Sequence, residues 1–202
     1  MGKGSGGYRE QQAESTKDRV AAAARELFAV RGFAGTTIIA ISEAAGVPAQ
    51  TIYSAFGTKA RILGRVTEVW MRETDTRARA EAYFEEPDAG RRLRLFAALN
   101  RHQLEAGADV VTIYREAART DPSMAAALDA MMRAREHEIA KLLASVEADL
   151  RPGLSVTDAI AITLALCVDA GFAMLRAAGW DGARYEQWLG ETLVGQLLRS
   201  SG

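Results

Sequence analysis

Apolar residues recur three and four positions apart along most of the chain, the spacing that lines one face of an α-helix. Val20, Ala24, Leu27 and Phe28 form the first such stripe and predict a helix over residues 16–31. Ser15 and Asp18 suit a cap at its start, and Gly32 suits its end. Gly35 falls in the loop that follows. Thr36 and Thr37 then offer a hydroxyl cap to a short helix with Ile38, Ile41 and Ala45 inward. Gly46 closes it, being able to take positive φ, and Val47 returns to the core. Pro48 opens a third helix that runs to about Phe56, with Ile52 and Phe56 inward. Gly57 and Thr58 separate it from a long fourth helix over residues 59–84, carried by Ile62, Leu63, Val66, Val69 and Trp70.

Five more helices follow by the same spacing. They are expected over residues 89–105, 109–119, 122–150, 155–178 and 181–199, parted by Gly107, Asp121-Pro122, Arg151-Pro152-Gly153 and Gly179. The helix over 155–178 is apolar nearly all round, which predicts burial on most sides. No segment alternates with the period of a strand, and no internal repeat is present. The expected fold is all-α with about nine helices. It divides into a flexible arm over residues 1–15, a small three-helix domain over 16–66 whose fourth helix continues as a connector, and a larger helical domain over 67–202.

Charge sharpens that division. Residues 1–65 hold nine Lys and Arg against five Asp and Glu, a net of +4, while the remainder nets −5. A basic head on an acidic body fits a head that meets phosphate. The single cysteine, Cys167, sits in an apolar run and reads as a small buried hydrophobe in a reducing compartment. No apolar run approaches the roughly 18–20 residues of a membrane span, and the N-terminus has no hydrophobic signal core. A cytoplasmic protein is expected. His102 and His137 stand far apart, no metal-ligand cluster appears, and no nucleophile–base–acid set can be assembled. The chain therefore reads as a non-enzyme without metal or cofactor.

Two short helices meeting at Gly46 make the layout of a helix-turn-helix, which places its second helix in the major groove of DNA. Across residues 16–66, the pair Thr36-Thr37, the run Ala44-Ala45-Gly46-Val47, the run Thr51-Ile52-Tyr53, and Phe56, Lys59 and Leu63 hold one register over three helices. In these features the segment resembles the N-terminal domain of the TetR family of bacterial transcriptional regulators. The resemblance implies a homodimer on a palindromic, double-stranded operator, an effector pocket in the C-terminal domain, and release of DNA when the effector shifts helix 4.

Thr37 caps helix 2, whose terminal N–H groups suit a phosphate. Gln50 and Thr51 open helix 3, and a glutamine amide can pair with adenine. Ser54 is short enough for a phosphate or a base edge. In the family a tyrosine at the position of Tyr53 meets the DNA backbone. Lys59 opens helix 4, where a cation opposes the helix dipole and so suggests an outside phosphate. Three residues depart from the family's common pattern. Ala55 stands where histidine is frequent, Pro48 where a serine often caps, and Ile39 where a polar residue is usual. An exposed Ile39 suits a thymine methyl.

In the body, Asp169 and Asn100 are polar among apolar neighbours, and a buried carboxylate demands a partner. With Trp70, Phe96, Tyr114, Met131 and Phe172 they are candidates to hold a small, mainly apolar effector, although aromatic and Met stripes at helical spacing also make ordinary core. The four-helix dimer interface that the resemblance implies falls on Leu164, Val168, Tyr185, Trp188, Leu189, Leu193 and Leu197. The functional expectation is a ligand-responsive, sequence-specific DNA-binding repressor. The alternative is a helical small-molecule-binding protein without operator specificity.

Overall fold

A computed structural model describes residues 4–199, and the side chains from residue 7 onward. Among the described residues there are ten α-helices, one 3-10 turn and no strand. In order they are α1 (Gly4–Gly35), α2 (Ile38–Ala45), α3 (Ala49–Phe56), α4 (Lys59–Glu73), α5 (Thr76–Glu85), α6 (Ala89–Ala118) and α7 (Pro122–Ala144). The 3-10 turn (Glu147–Asp149), α8 (Val156–Leu166), α9 (Asp169–Ala177) and α10 (Gly182–Leu197) complete the chain. No single helix among them is long and apolar enough to cross a membrane.

The helices gather into two compact units. Among the described residues, one comprises 4–70 with 109–128, the other 71–108 with 129–199. In the first, Val20, Ala24, Phe28, Ile41, Ile52, Ile62 and Leu63 are buried. Two arginines fix α1 in place there. Arg25 donates to both carboxylate oxygens of Asp109 at 2.7 and 2.6 Å. Arg65 of α4 donates to Asp18 at 2.9 Å, Glu14 at 2.7 Å and Glu68 at 2.8 Å. The second unit packs Leu93, Ala97, Leu142, Leu143, Phe172, Leu189 and Leu193 into one apolar core.

Five boundaries differ from the expectation. Helix α1 runs back to Gly4, so the expected arm is helical from there and Ser15 is not a cap, while residues 1–3 of that arm lie outside the described residues. Thr16 donates backward to the Gln12 carbonyl at 2.8 Å instead of starting a helix. Gly32, at φ 70°, does break the helical path as expected, and a last turn follows it. The helix over 59–84 divides at Thr74-Asp75, where Asp75 takes the left-handed conformation at φ 48°. Gly107 does not interrupt α6, which runs through it. The helix over 122–150 ends at Ala144 and gives way to the 3-10 turn. The helix over 155–178 divides at Cys167-Val168, so Asp169 opens α9 half-buried instead of standing inside a buried helix.

Candidate nucleic-acid interface

Helix α2 starts where Thr37, extended at φ −104°, accepts the Ala40 N–H on its side-chain oxygen at 3.1 Å. This is the N-cap geometry the sequence predicts. Neighbouring Thr36 is buried and donates instead to the Gly32 carbonyl at 2.9 Å. At the far end Gly46 takes φ 61°, which a side chain would resist. The turn is closed by the Val47 N–H on the Ser42 carbonyl at 3.2 Å and by the Ser42 hydroxyl on the Val47 carbonyl at 2.7 Å. Val47 is buried, so the turn is anchored at both sides. Pro48 is the cap residue of α3 and not its first helical residue.

These locks orient α3. Ile52 and Phe56 point into the core, while Gln50, Thr51 and Ser54 are exposed and Tyr53 is 52% exposed. Ile39 stands 64% exposed on α2, and Thr37 is exposed at its start. The head thus shows an amide, three hydroxyls besides the Thr37 cap's backbone N–H groups, and one aliphatic side chain. That set suits base edges, thymine methyls and phosphates.

Lys59 is placed differently from the expectation. Its ammonium donates to the Phe33 carbonyl at 2.7 Å and the Thr36 carbonyl at 2.8 Å. It also lies 4.7 Å from the centre of the Phe33 ring. Burial pushes its pKa down, with Asp121 pulling the other way. The cation at the start of α4 therefore has internal acceptors, and its unfavourable dipole position needs no external anion. Arg65, the hub that fixes α1 to α4, was not singled out by sequence. Its signal was present in Glu14 and Asp18, two acids four apart on one helix face.

The residues expected to hold an effector are divided between the two units. Trp70 and Tyr114 are buried within the first unit, where Tyr114 accepts from the Thr67 hydroxyl at 3.1 Å. Phe96 and Phe172 are core residues of the second unit, and Met131 is half-buried there. Asn100 is buried with its polar groups used internally. It donates to the Tyr185 hydroxyl at 2.9 Å and accepts from Arg135 at 2.8 Å. Arg135 also donates to the Cys167 carbonyl at 2.8 Å, which serves the end of α8 at the break. Burial pushes the Cys167 thiol up to about 12, although Arg135 pulls it down. None of the expected residues lines a cleft of about 270 Å³ in the second unit, between Glu73, Thr74, Arg79, His102 and Glu105. Burial, Arg101 and Arg79 push the His102 pKa down there.

The expected dimer face is corrected in part. Tyr185, Leu189, Leu193 and Leu197 are buried in the second unit's own core, at 1% exposure or less. The stripe on α10 is its inward face and is not available to a partner. Leu164 and Trp188 are half-buried, and Val168 is 44% exposed.

Comparison with known proteins agrees with this head. Residues 20–66 match the family model of bacterial regulatory proteins, tetR family. No curated protein sequence matches the chain. Among solved structures, the transcriptional regulator FadR from Bacillus subtilis, in complex with stearoyl-CoA, is 18% identical with a TM-score of 0.70, covering 88% of this chain and 97% of that one. NalD, the secondary repressor of the MexAB-OprM multidrug efflux pump in Pseudomonas aeruginosa, is 20% identical with a TM-score of 0.68, covering 95% and 100%. A regulator-like protein from Saccharomonospora viridis, in complex with choline, is 18% identical with a TM-score of 0.72, covering 92% and 99%. The structural likeness extends the shared fold over both units, and the match to the tetR family model lies within residues 20–66.

Proposed function

We propose that this chain is a ligand-responsive, sequence-specific transcriptional repressor that binds a palindromic operator as a homodimer. One observation carries the reading. Helix α3 is locked by Ile52, Phe56 and the Gly46 turn, and it shows Gln50, Thr51, Tyr53 and Ser54 outward. In a dimer, two such helices enter successive major grooves about 34 Å apart. Tyr53 and the α2 terminus at Thr37 hold the backbone, and Gln50, Thr51 and Ile39 read bases. Lys59 supports this head from inside, by holding the carbonyls of Phe33 and Thr36 next to the cap.

With the inner face of α10 committed to the core, the dimer surface moves to exposed positions of α8 and its end, Ala161, Ala165 and Val168. Stearoyl-CoA in the Bacillus subtilis protein and choline in the Saccharomonospora viridis protein support an effector site on this fold. In this chain the cleft beside Arg79 and His102 favours a polar or charged effector over the mainly apolar one expected from sequence. Its position at the end of α4 suits release of DNA through that helix, an allosteric coupling of about 1–3 kcal/mol.

Selection from a randomised duplex pool at near-physiological salt, with Tyr53→Ala alongside, tests the reading. An enriched palindrome that the variant does not enrich is the expected result. No enrichment, or equal enrichment by the variant, sinks it.

A further inference from the structure

Helix α1 starts twelve residues before its sequence pattern predicts, about 18 Å of extra helix at 1.5 Å per residue. Those turns do not stand alone. Together with α3 they bound a cleft of about 350 Å³. Arg9, Gln12 and Thr16 line it from α1, at the spacing of one helix face, and Thr51 and Ala55 line it from α3. Its floor is apolar, made by buried Val20, Val47 and Ile52.

The charges around this cleft are sorted. Its lining contains two cations, Arg9 and Lys17, and no acid. The neighbouring acids Glu14 and Asp18 are held by Arg65, and Glu14 also takes Lys17 at 2.7 Å. Arg9 is exposed and has no acidic partner among the described residues. Thr51 belongs at once to the cleft and to the outward face of α3. A strand lying along α3 therefore passes the mouth of the cleft.

We propose that this cleft receives the sugar-phosphate backbone of the DNA that α3 reads, with deoxyribose toward the apolar floor and phosphate on Arg9. The inference rests on the operator reading above and extends the contact surface to α1. Phosphate contact by Arg9 adds affinity and salt dependence without sequence preference, because a backbone contact carries no base information.

Titration of the selected operator from 50 to 200 mM salt, with wild type, Arg9→Ala and Arg9→Lys, tests it. Each phosphate contact contributes about 0.9 to the slope of log affinity against log salt. Arg9→Ala is expected to flatten that slope by about 0.9 per head, so its affinity deficit shrinks about threefold per head across the range. Arg9→Lys is expected to keep the slope, and hydroxyl-radical footprints should lose flanking protection only with Arg9→Ala. Arg9 is exposed on a helix, so an unchanged melting temperature verifies that the fold is intact. Parallel salt lines and identical footprints overturn the proposal while leaving the operator reading in place. A wild type that enriches no duplex fails the operator reading itself, and this inference with it.

Discussion

Helices α3 and α10 both carry aromatic and aliphatic residues at helical spacing, and they use them in opposite ways. On α3, Ile52 and Phe56 face inward while Tyr53 stands half in solvent among Gln50, Thr51 and Ser54. On α10, Tyr185, Leu189, Leu193 and Leu197 all face inward, and the outward side carries Arg184, Gln187 and Glu191. An apolar stripe marks the face a helix buries within its own chain before it marks any partner. What identifies a recognition surface is the polar or aromatic residue left outside once that stripe is satisfied.

The widest separation is expected from charging an inward face and an outward face in the second unit, on α10 and on α8. Leu193→Glu places a carboxylate in a fully buried site and should destabilise that unit by about 4 kcal/mol or more. Ala165→Glu, on an exposed face, should leave urea unfolding within about 0.5 kcal/mol of wild type. It should also give monomers in ultracentrifugation. A stable, monomeric Leu193→Glu protein would return the interface to α10.

Smaller effects probe the polar groups inside the body. Asn100→Ala removes a partner from both Tyr185 and Arg135 and should destabilise by about 1–3 kcal/mol. Combined with Tyr185→Phe, the loss should fall short of additive by about 0.5 kcal/mol or more, the mark of a shared network. Strict additivity in denaturant unfolding would count against that network.

The smallest effect separates the two roles open to Lys59. Lys59→Met should destabilise by about 1–2 kcal/mol through the Phe33 and Thr36 carbonyls, and leave the salt slope of operator binding unchanged. A slope flatter by about 1 per head would show instead that its ammonium meets phosphate in the complex.

The head was more legible in the sequence than the body, for a local reason. Thr37 and Gly46 act through their own backbone geometry, so the α2–α3 boundaries follow from residue type alone. The body's breaks do not announce themselves. The α4–α5 division falls at Asp75, which tolerates the left-handed region without being glycine. The α8–α9 division falls at Cys167-Val168, where Arg135 from α7 donates to the carbonyl of Cys167, the cap residue of α8. Gly107, read as a breaker, stays helical and buried inside α6. The sequence suggests Asn100 as a ligand group and Tyr185 as an interface residue. Their use as partners to each other, 85 positions apart, is set by tertiary packing.

The break between α8 and α9 also gives the chain a built-in stopwatch. Its single cysteine sits there, sealed from solvent, with a thiol that burial holds at about 12. Alkylating reagents attack the thiolate, so near neutral pH the closed form is inert and only an opened form takes the label. The labelling rate of Cys167 then clocks how often this joint comes apart, with no foreign probe introduced. Operator DNA or an effector can be judged by whether it slows that clock or speeds it.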